Sequence, residues 1–369
     1  MSNTPSTELR YVLNACKNIY QPSPSSPDLT ETKIQDVEEL RKIIKLAKDN
    51  ALVYQITKNN PSLMSEVKDP DIERLIQDES ATYENYLSRL KVSLSDANSI
   101  LGEGAFLVIK TIYSYPRTTK DIDLLVTDVP ASLNAFVAKG YRHSFTEPPY
   151  KETVIKKGGL SITLHQRVAW GKVIPTELKF IWESPRKIEF HGLSLLKPSA
   201  EADLATMLAH IPFELLYFNL GDVLYMFDLS KLADLPKIIA QAKVNDWGRT
   251  LQDIISMLNG LHMSMYGSPS PFEKVIPTRR DVKAEFPVPC PLWVILRAHV
   301  EKRAWEKILS LRYYVKKRSS VPKYVETYPS AKKRIAVRGL LRKMRIQSCS
   351  YYDSRHINPQ ILDPQGRIG

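Results

Sequence analysis

The chain has 369 residues, of which 43% are hydrophobic and 25% charged, and carries a formal net charge of +12. That length accommodates two domains and a sizeable core, and the balance excludes a disordered, collagenous or disulfide-scaffold protein. Cys16, Cys290 and Cys349 stand far apart and form no Cys-x-x-Cys, so reduced thiols in a cytoplasm are expected.

In chain order, "MSNTPSTELRYVLNACKN" lacks the apolar run of a signal peptide. A short first helix and the proline-rich linker "QPSPSSPD" make up residues 1–28. Residues 29–100 read as helical. Ile34, Val37, Leu40, Ile44 and Ala47 recur three or four apart, and a second stripe after "KDPD" runs through Leu75, Ile76, Tyr86, Leu87, Leu90, Leu94 and Ala97.

The pattern then changes: "AFLVIKTI" (105–112) is β-rich and predicts a buried strand, and "DIDLLV" (121–126) predicts another. "PASLNAFVAKG" predicts a helix with Pro130 near its start and Gly140 at its end. "ETVIKK" and "LSITLHQRV" flank Gly158–Gly159 and predict a β-hairpin with a two-residue turn. Residues 101–198 are thus expected to form a small mixed sheet, within an α+β fold flanked by helical regions.

Residues 199–300 return to helix, beginning at Ser199 as N-cap of "AEADLATMLAHI". The most apolar stretch, "MLAHIPFELLYFNLGDVLYMF", is interrupted by His210, Glu214 and Asp222, which predicts a buried helical pair and no membrane span. Hydrogen bonding between helices is the expectation for His210 and Asp228.

Residues 301–369 form a basic extension. Between Glu301 and Arg345 fifteen Lys or Arg face three Glu, so this segment alone carries +12 and the rest of the chain sums to zero. Tyr313, Tyr314, Tyr324 and Tyr328 interleave with the charge, as on a surface that contacts nucleic acid. The alternative is a solubilising face.

Two Asp-x-Asp motifs occur, at Asp69–Asp71 and at Asp121–Asp123. The first precedes a helix, and Pro70 makes it a cap. The second opens a strand, where residues i and i+2 share a face. Asp121 and Asp123 therefore present two carboxylates side by side, which repel unless a cation lies between them. Mg²⁺ (or Mn²⁺) suits hard oxygen ligands and leaves coordination positions for phosphate.

Here "FLVIKTIYSYPRTTKDIDLLV" resembles the signature of nucleotidyltransferases of the DNA polymerase beta-type superfamily. The closer resemblance is to an uncharacterised, mostly prokaryotic nucleotidyltransferase family whose members run "KG…YP…R…DiDlLV…GY…H". It continues through "VAKGYRH", "ITLHQRVAW", "FIWESPRKIEFHGLSLLKPSAEADLATMLAHI" and "YMFDLSKL", covering roughly residues 35–265. The resemblance implies metal-dependent transfer of a nucleoside monophosphate from an NTP to an acceptor, with release of pyrophosphate. Asp121 and Asp123 would be the catalytic metal ligands.

Lys110 and Arg117 are candidate triphosphate contacts, Lys as a point charge and Arg as a bidentate fork. Thr111, Ser114, Thr118 and Thr119 would add hydroxyls. Two positions depart from the superfamily pattern. Lys110-Thr111-Ile112 contains no glycine where backbone amides usually approach the triphosphate, and Thr163 stands where relatives often carry a third acid. His165, on the same strand face, is a candidate to complete the metal site; a hydrogen-bonded structural histidine is the alternative.

Two other readings stay open at this point. One is a nucleotidyltransferase-fold binding or scaffold protein whose basic tail serves a partner. The other is a nucleotide-sugar glycosyltransferase using Asp-Ile-Asp. The sequence leaves the acceptor and the base of the NTP undefined.

Overall fold

Near-continuous apolar runs in the centre of the chain build strands buried on both faces, and helices before and after the sheet cover them. The computed structural model describes residues 5–22, 34, 36–61, 63, 69–147, 151–156, 158–170, 173–278 and 282–302. The fold is α+β. The basic segment beyond residue 302 and residues 23–28 of the linker lie outside the described residues.

Helices α1 (Thr7–Ala15), α2 (Val37–Asp49), α3 (Val53–Asn59) and α4 (Pro70–Leu101) precede the sheet. The Asp69 carboxylate caps α4, accepting from the amides of Asp71 at 3.0 Å and Ile72 at 3.2 Å. It is also paired with Arg41 on α2 at 2.7 Å. The Asp69–Asp71 motif is thus spent on starting a helix. Ile72, Ile76, Tyr86, Leu90, Leu94 and Ala97 form the buried stripe of α4.

The sheet comprises β1 (Phe106–Ile109), β2 (Asp121–Val126), β3 (Arg142–Glu147), β4 (Lys151–Ile155) and β5 (Ser161–His165), in the order β1-β2-β5-β4-β3. Strand β2 runs parallel to β5 and the other pairings are antiparallel. A parallel pair needs a crossover. Helix α5 (Val129–Ala138) and the β3–β4 hairpin lie within that connection. Phe106, Val108, Ile122, Leu124, Val126, Ile162 and Leu164 point to one face, against α4 and Phe136 of α5. Leu107, Ile109 and Leu125 point to the other, into the helical core. The two faces carry different work, because the acids of β2 fall on the second.

Beyond the sheet come α6 (Leu178–Trp182), the hairpin β6 (Arg186–Phe190) and β7 (Leu193–Lys197), and α7 (Ala200–His210). Ser199 caps α7 as predicted. A π-helical turn, Ile211–Leu215, leads through β8 (Tyr217–Phe218) into α8 (Leu220–Leu232), α9 (Leu235–Val244) and α10 (Gly248–Tyr266). Strand β9 (Val288–Pro289), paired with β8, and α11 (Leu292–Glu301) complete the helical part. Among the described residues no helix is long and apolar enough to cross a membrane.

Two local expectations are corrected. The strand predicted over 105–112 stops at Ile109, because Lys110 turns into the left-handed region with φ 49°. The connection between β4 and β5 is longer than a two-residue turn: β4 ends at Ile155, β5 begins at Ser161, and their last pair is Val154 with Ile162. The loop is drawn onto α4 instead, where Arg89 donates to the carbonyls of Gly158 and Gly159. Strand β3 and the β6–β7 hairpin add strands beyond those expected, although β6 alternates half-buried Ile188 and Phe190 with exposed Lys187 and Glu189.

Candidate active site at the start of β2

Strand β2 places Asp121 and Asp123 on the face opposite α4, and the parallel register sets Asp123 beside Thr163 of β5. The Thr163 hydroxyl donates to Asp121 Oδ2 at 2.8 Å. His165 Nε2 donates to Asp123 Oδ1 at 2.5 Å. The second Asp123 oxygen faces the Lys110 ammonium at 3.3 Å. Asp121 is half-buried and Asp123 buried.

The electrostatics follow from this packing. Burial works to raise the Asp123 carboxyl, but Lys110 and His165 outweigh it and hold the group well below the usual carboxylate range. Burial pushes the His165 imidazole down, although Asp123 works to raise it. The pair is therefore an ionised carboxylate accepting from a neutral ring. Burial works to lower the Lys110 ammonium, and Asp123, Glu214 and Asp121 together raise it above its ordinary value. Lys110 is held charged.

The turn that carries Lys110 is pinned from several sides. Thr111 Oγ1 donates to the Ile109 carbonyl at 3.0 Å and accepts from the Asp123 amide at 3.0 Å. Tyr113 Oη donates to the Lys110 carbonyl at 2.8 Å. Buried Lys197 donates to the Ile112 carbonyl at 2.7 Å and to Tyr225 Oη at 2.7 Å. Its ammonium also pairs with Asp203 at 3.0 Å, completing its three donors.

The sequence-predicted residues part company here. Lys110 and His165 join the acid pair. Thr111 is buried in the turn, and Thr119 donates to the Asp121 carbonyl at 2.7 Å while contacting Tyr86 Oη at 2.8 Å. Both hydroxyls shape the backbone. Ser114 and Thr118 are exposed. Arg117 is ion-paired with Asp222 of α8, which also accepts from Tyr115 Oη at 2.7 Å. The guanidinium lies over the Tyr113 ring, 4.8 Å from its centroid. His210 bonds Glu214 at 3.0 Å within the turn that follows its own helix, not across helices, and its ring stacks on Trp170. Glu152 pairs with His143, and alternation puts it on the sheet face away from Asp123.

Sequence reasoning missed Asp222, Glu214, Trp170 and Lys151. Lys151 stands opposite His165 in the β4–β5 ladder and its charge acts on Asp123. Asp222 did leave a signal, since a lone acid inside an apolar helix stays buried only with a partner. Glu214, which interrupts the same apolar stretch, left the same signal.

Whether these donors suit a divalent ion is a question of ligand number. Among the described residues no group of three or more His, Cys, Asp or Glu is arranged to hold a metal ion. Two adjacent carboxylates are, however, the hard oxygen donors that Mg²⁺ takes at nucleotide sites, where phosphate oxygens and water supply the remaining ligands. By ligand number the pair alone does not make a closed cage, and an ion held there would take further oxygens from elsewhere.

No curated protein and no solved structure matches the chain. A family described as "uncharacterised nucleotidyltransferase" matches residues 74–262, a span that begins in α4, takes in the whole sheet and the acid pair, and ends in α10. The chain belongs to this nucleotidyltransferase family.

Proposed function

We propose that the protein is a metal-dependent nucleotidyltransferase of the DNA polymerase beta-type superfamily, moving a nucleoside monophosphate from an NTP to an acceptor nucleophile. The observation that carries this reading is the convergence of Asp121 and Asp123 on one face of β2, beside Lys110 and His165. In the reaction the acceptor oxygen bonds to the α-phosphorus, the bond to the β-phosphate oxygen breaks, and pyrophosphate leaves. A divalent ion, Mg²⁺ or Mn²⁺, would supply charge stabilisation and alignment of the phosphate oxygens.

The protein's own groups divide the remaining work. Asp121 and Asp123 would hold the ion, with Thr163 fixing the orientation of Asp121 and His165 that of Asp123. Lys110 would take triphosphate oxygens as a point charge. Arg117, held by Asp222 and Tyr115, would fix the loop between β1 and β2. Thr163 in place of an acid supports a site built around the carboxylate pair.

The test is incubation with each α-labelled NTP, Mg²⁺ and cell extract, scoring transfer of label and release of pyrophosphate. Wild type should transfer label, and Asp121→Asn and Asp123→Asn should abolish both readouts while retaining the far-UV spectrum. Asp71→Asn should leave transfer intact. Nucleotide binding without pyrophosphate release would instead favour the scaffold reading.

A further inference from the structure

Both oxygens of Asp123 are engaged by groups of the chain itself, one by His165 at 2.5 Å and one by the Lys110 ammonium at 3.3 Å. The Lys110 side chain is 11% exposed, and its ammonium lies 5.7 Å from the centroid of the Trp170 ring. Asp121 shares the strand face of Asp123, so a second carboxylate lies beside the pair. The ammonium thus sits where negative charge converges, the place a divalent ion would be drawn to. A cation of either kind neutralises the pair, and like charges cannot share one carboxylate oxygen without strong repulsion.

The backbone beneath Lys110 argues that this placement is built in. A lysine at φ 49° adopts a conformation that glycine takes freely. Tyr113, Thr111 and Lys197 hold the turn by hydrogen bonds to Lys110, Ile109 and Ile112 carbonyls. Strain kept by so many contacts is characteristic of functional positions. With the main chain fixed, rotation within the long side chain is the only motion needed to lift the ammonium from Asp123.

We propose that Lys110 is the resident cation of the acid pair, lying on Asp123 until a triphosphate draws it away. Divalent metal would then bind tightly only together with the triphosphate. This rests on the reading of Asp121 and Asp123 as metal ligands. The triphosphate brings the negative charge that satisfies the ammonium, and Asp123 Oδ2 becomes free for the ion. The device would keep the site from holding metal in the absence of nucleotide.

The test uses the full chain and Mn²⁺, with inorganic tripolyphosphate as a probe independent of the base. Lys110→Gly removes the charge at a backbone position that suits glycine, and Lys110→Arg keeps a charge there. Without tripolyphosphate, paramagnetic resonance should show Lys110→Gly binding Mn²⁺ at least tenfold more tightly than wild type, and Lys110→Arg close to wild type. Tripolyphosphate should raise Mn²⁺ uptake at least tenfold in wild type, scored as protein-bound ion after rapid desalting, and much less in Lys110→Gly. Asp123→Asn should remove uptake in every case. If Lys110→Gly binds Mn²⁺ no better than wild type while Asp123→Asn still abolishes the tripolyphosphate-dependent uptake, the resident-cation role is overturned and the metal-ligand reading stands. If no variant takes up Mn²⁺ through Asp123 under any condition, both are overturned.

Discussion

Thr163 shows how one side chain sets the character of the site. Fully buried, it donates to Asp121 Oδ2 at 2.8 Å and lies beside Asp123 in the parallel register. Thr163→Asp would place a third carboxylate against the other two and remove a donor. Without a cation the variant should lose about 3 kcal/mol of stability, as expected for a buried charge lacking compensation. Mn²⁺ should restore it, so the metal-induced rise in Tm should be larger in Thr163→Asp than in wild type. Equal shifts in the two proteins, followed by thermal unfolding with and without Mn²⁺, would place the third ligand position elsewhere.

At the scale of elements, the site depends on how closely α8 approaches the loop between β1 and β2. Gly221, in the first turn of α8, lies under the Tyr115 ring, and a Cβ there would come within 2.5 Å of a ring carbon. Tyr115 is 4% exposed and bonded to Asp222, so it has little freedom to withdraw. Gly221→Ala should therefore cost about 1–3 kcal/mol, the usual penalty of overpacking, despite the better helix propensity of alanine. Urea unfolding measures it. An unchanged or raised stability would mean that Tyr115 can leave Asp222. The same contact explains why Arg117, which reads as a triphosphate ligand in sequence, is tied down: the helix brings it a buried acid.

For the molecule as a whole, two charge effects should be measurable. His262 on α10 is held neutral in the helical core, contacting Tyr20 Oη at 2.9 Å and the Ser268 carbonyl at 2.8 Å. Burial pushes its imidazole down from an ordinary 6.5 to about 4. A histidine depressed in the folded state takes up its proton first in the unfolded chain. Its contribution is therefore complete above pH 6.5 and is lost as pH falls toward about 4, a loss of about 3 kcal/mol. His262→Gln should flatten stability across that window, measured by urea unfolding at successive pH values. The second effect concerns the basic segment. If it contacts a polyanion, single-stranded RNA affinity should fall with salt by a slope of about −0.7 per phosphate. Charge reversal of Lys316, Lys317 and Arg318 should flatten that slope. Absence of RNA binding by wild type at low salt would make the segment a soluble face.

The sequence by itself determined the acid pair and its neighbours on the sheet, because the side-chain period of a strand is fixed by the backbone. Asp121 and Asp123 share a face wherever β2 lies, as do Thr163 and His165 on β5. The caps at Asp69 and Ser199 were legible for the same local reason. What the partners of these groups would be was decided only by tertiary structure. Lys110 meets Asp123 through a left-handed turn that no strand pattern announces, Thr111 and Thr119 spend their hydroxyls on the backbone, and Arg117 finds Asp222 across 105 residues of chain. A hydrogen bond or ion pair between distant segments depends on how helices pack onto the sheet, and residue type and spacing along the chain do not encode that distance.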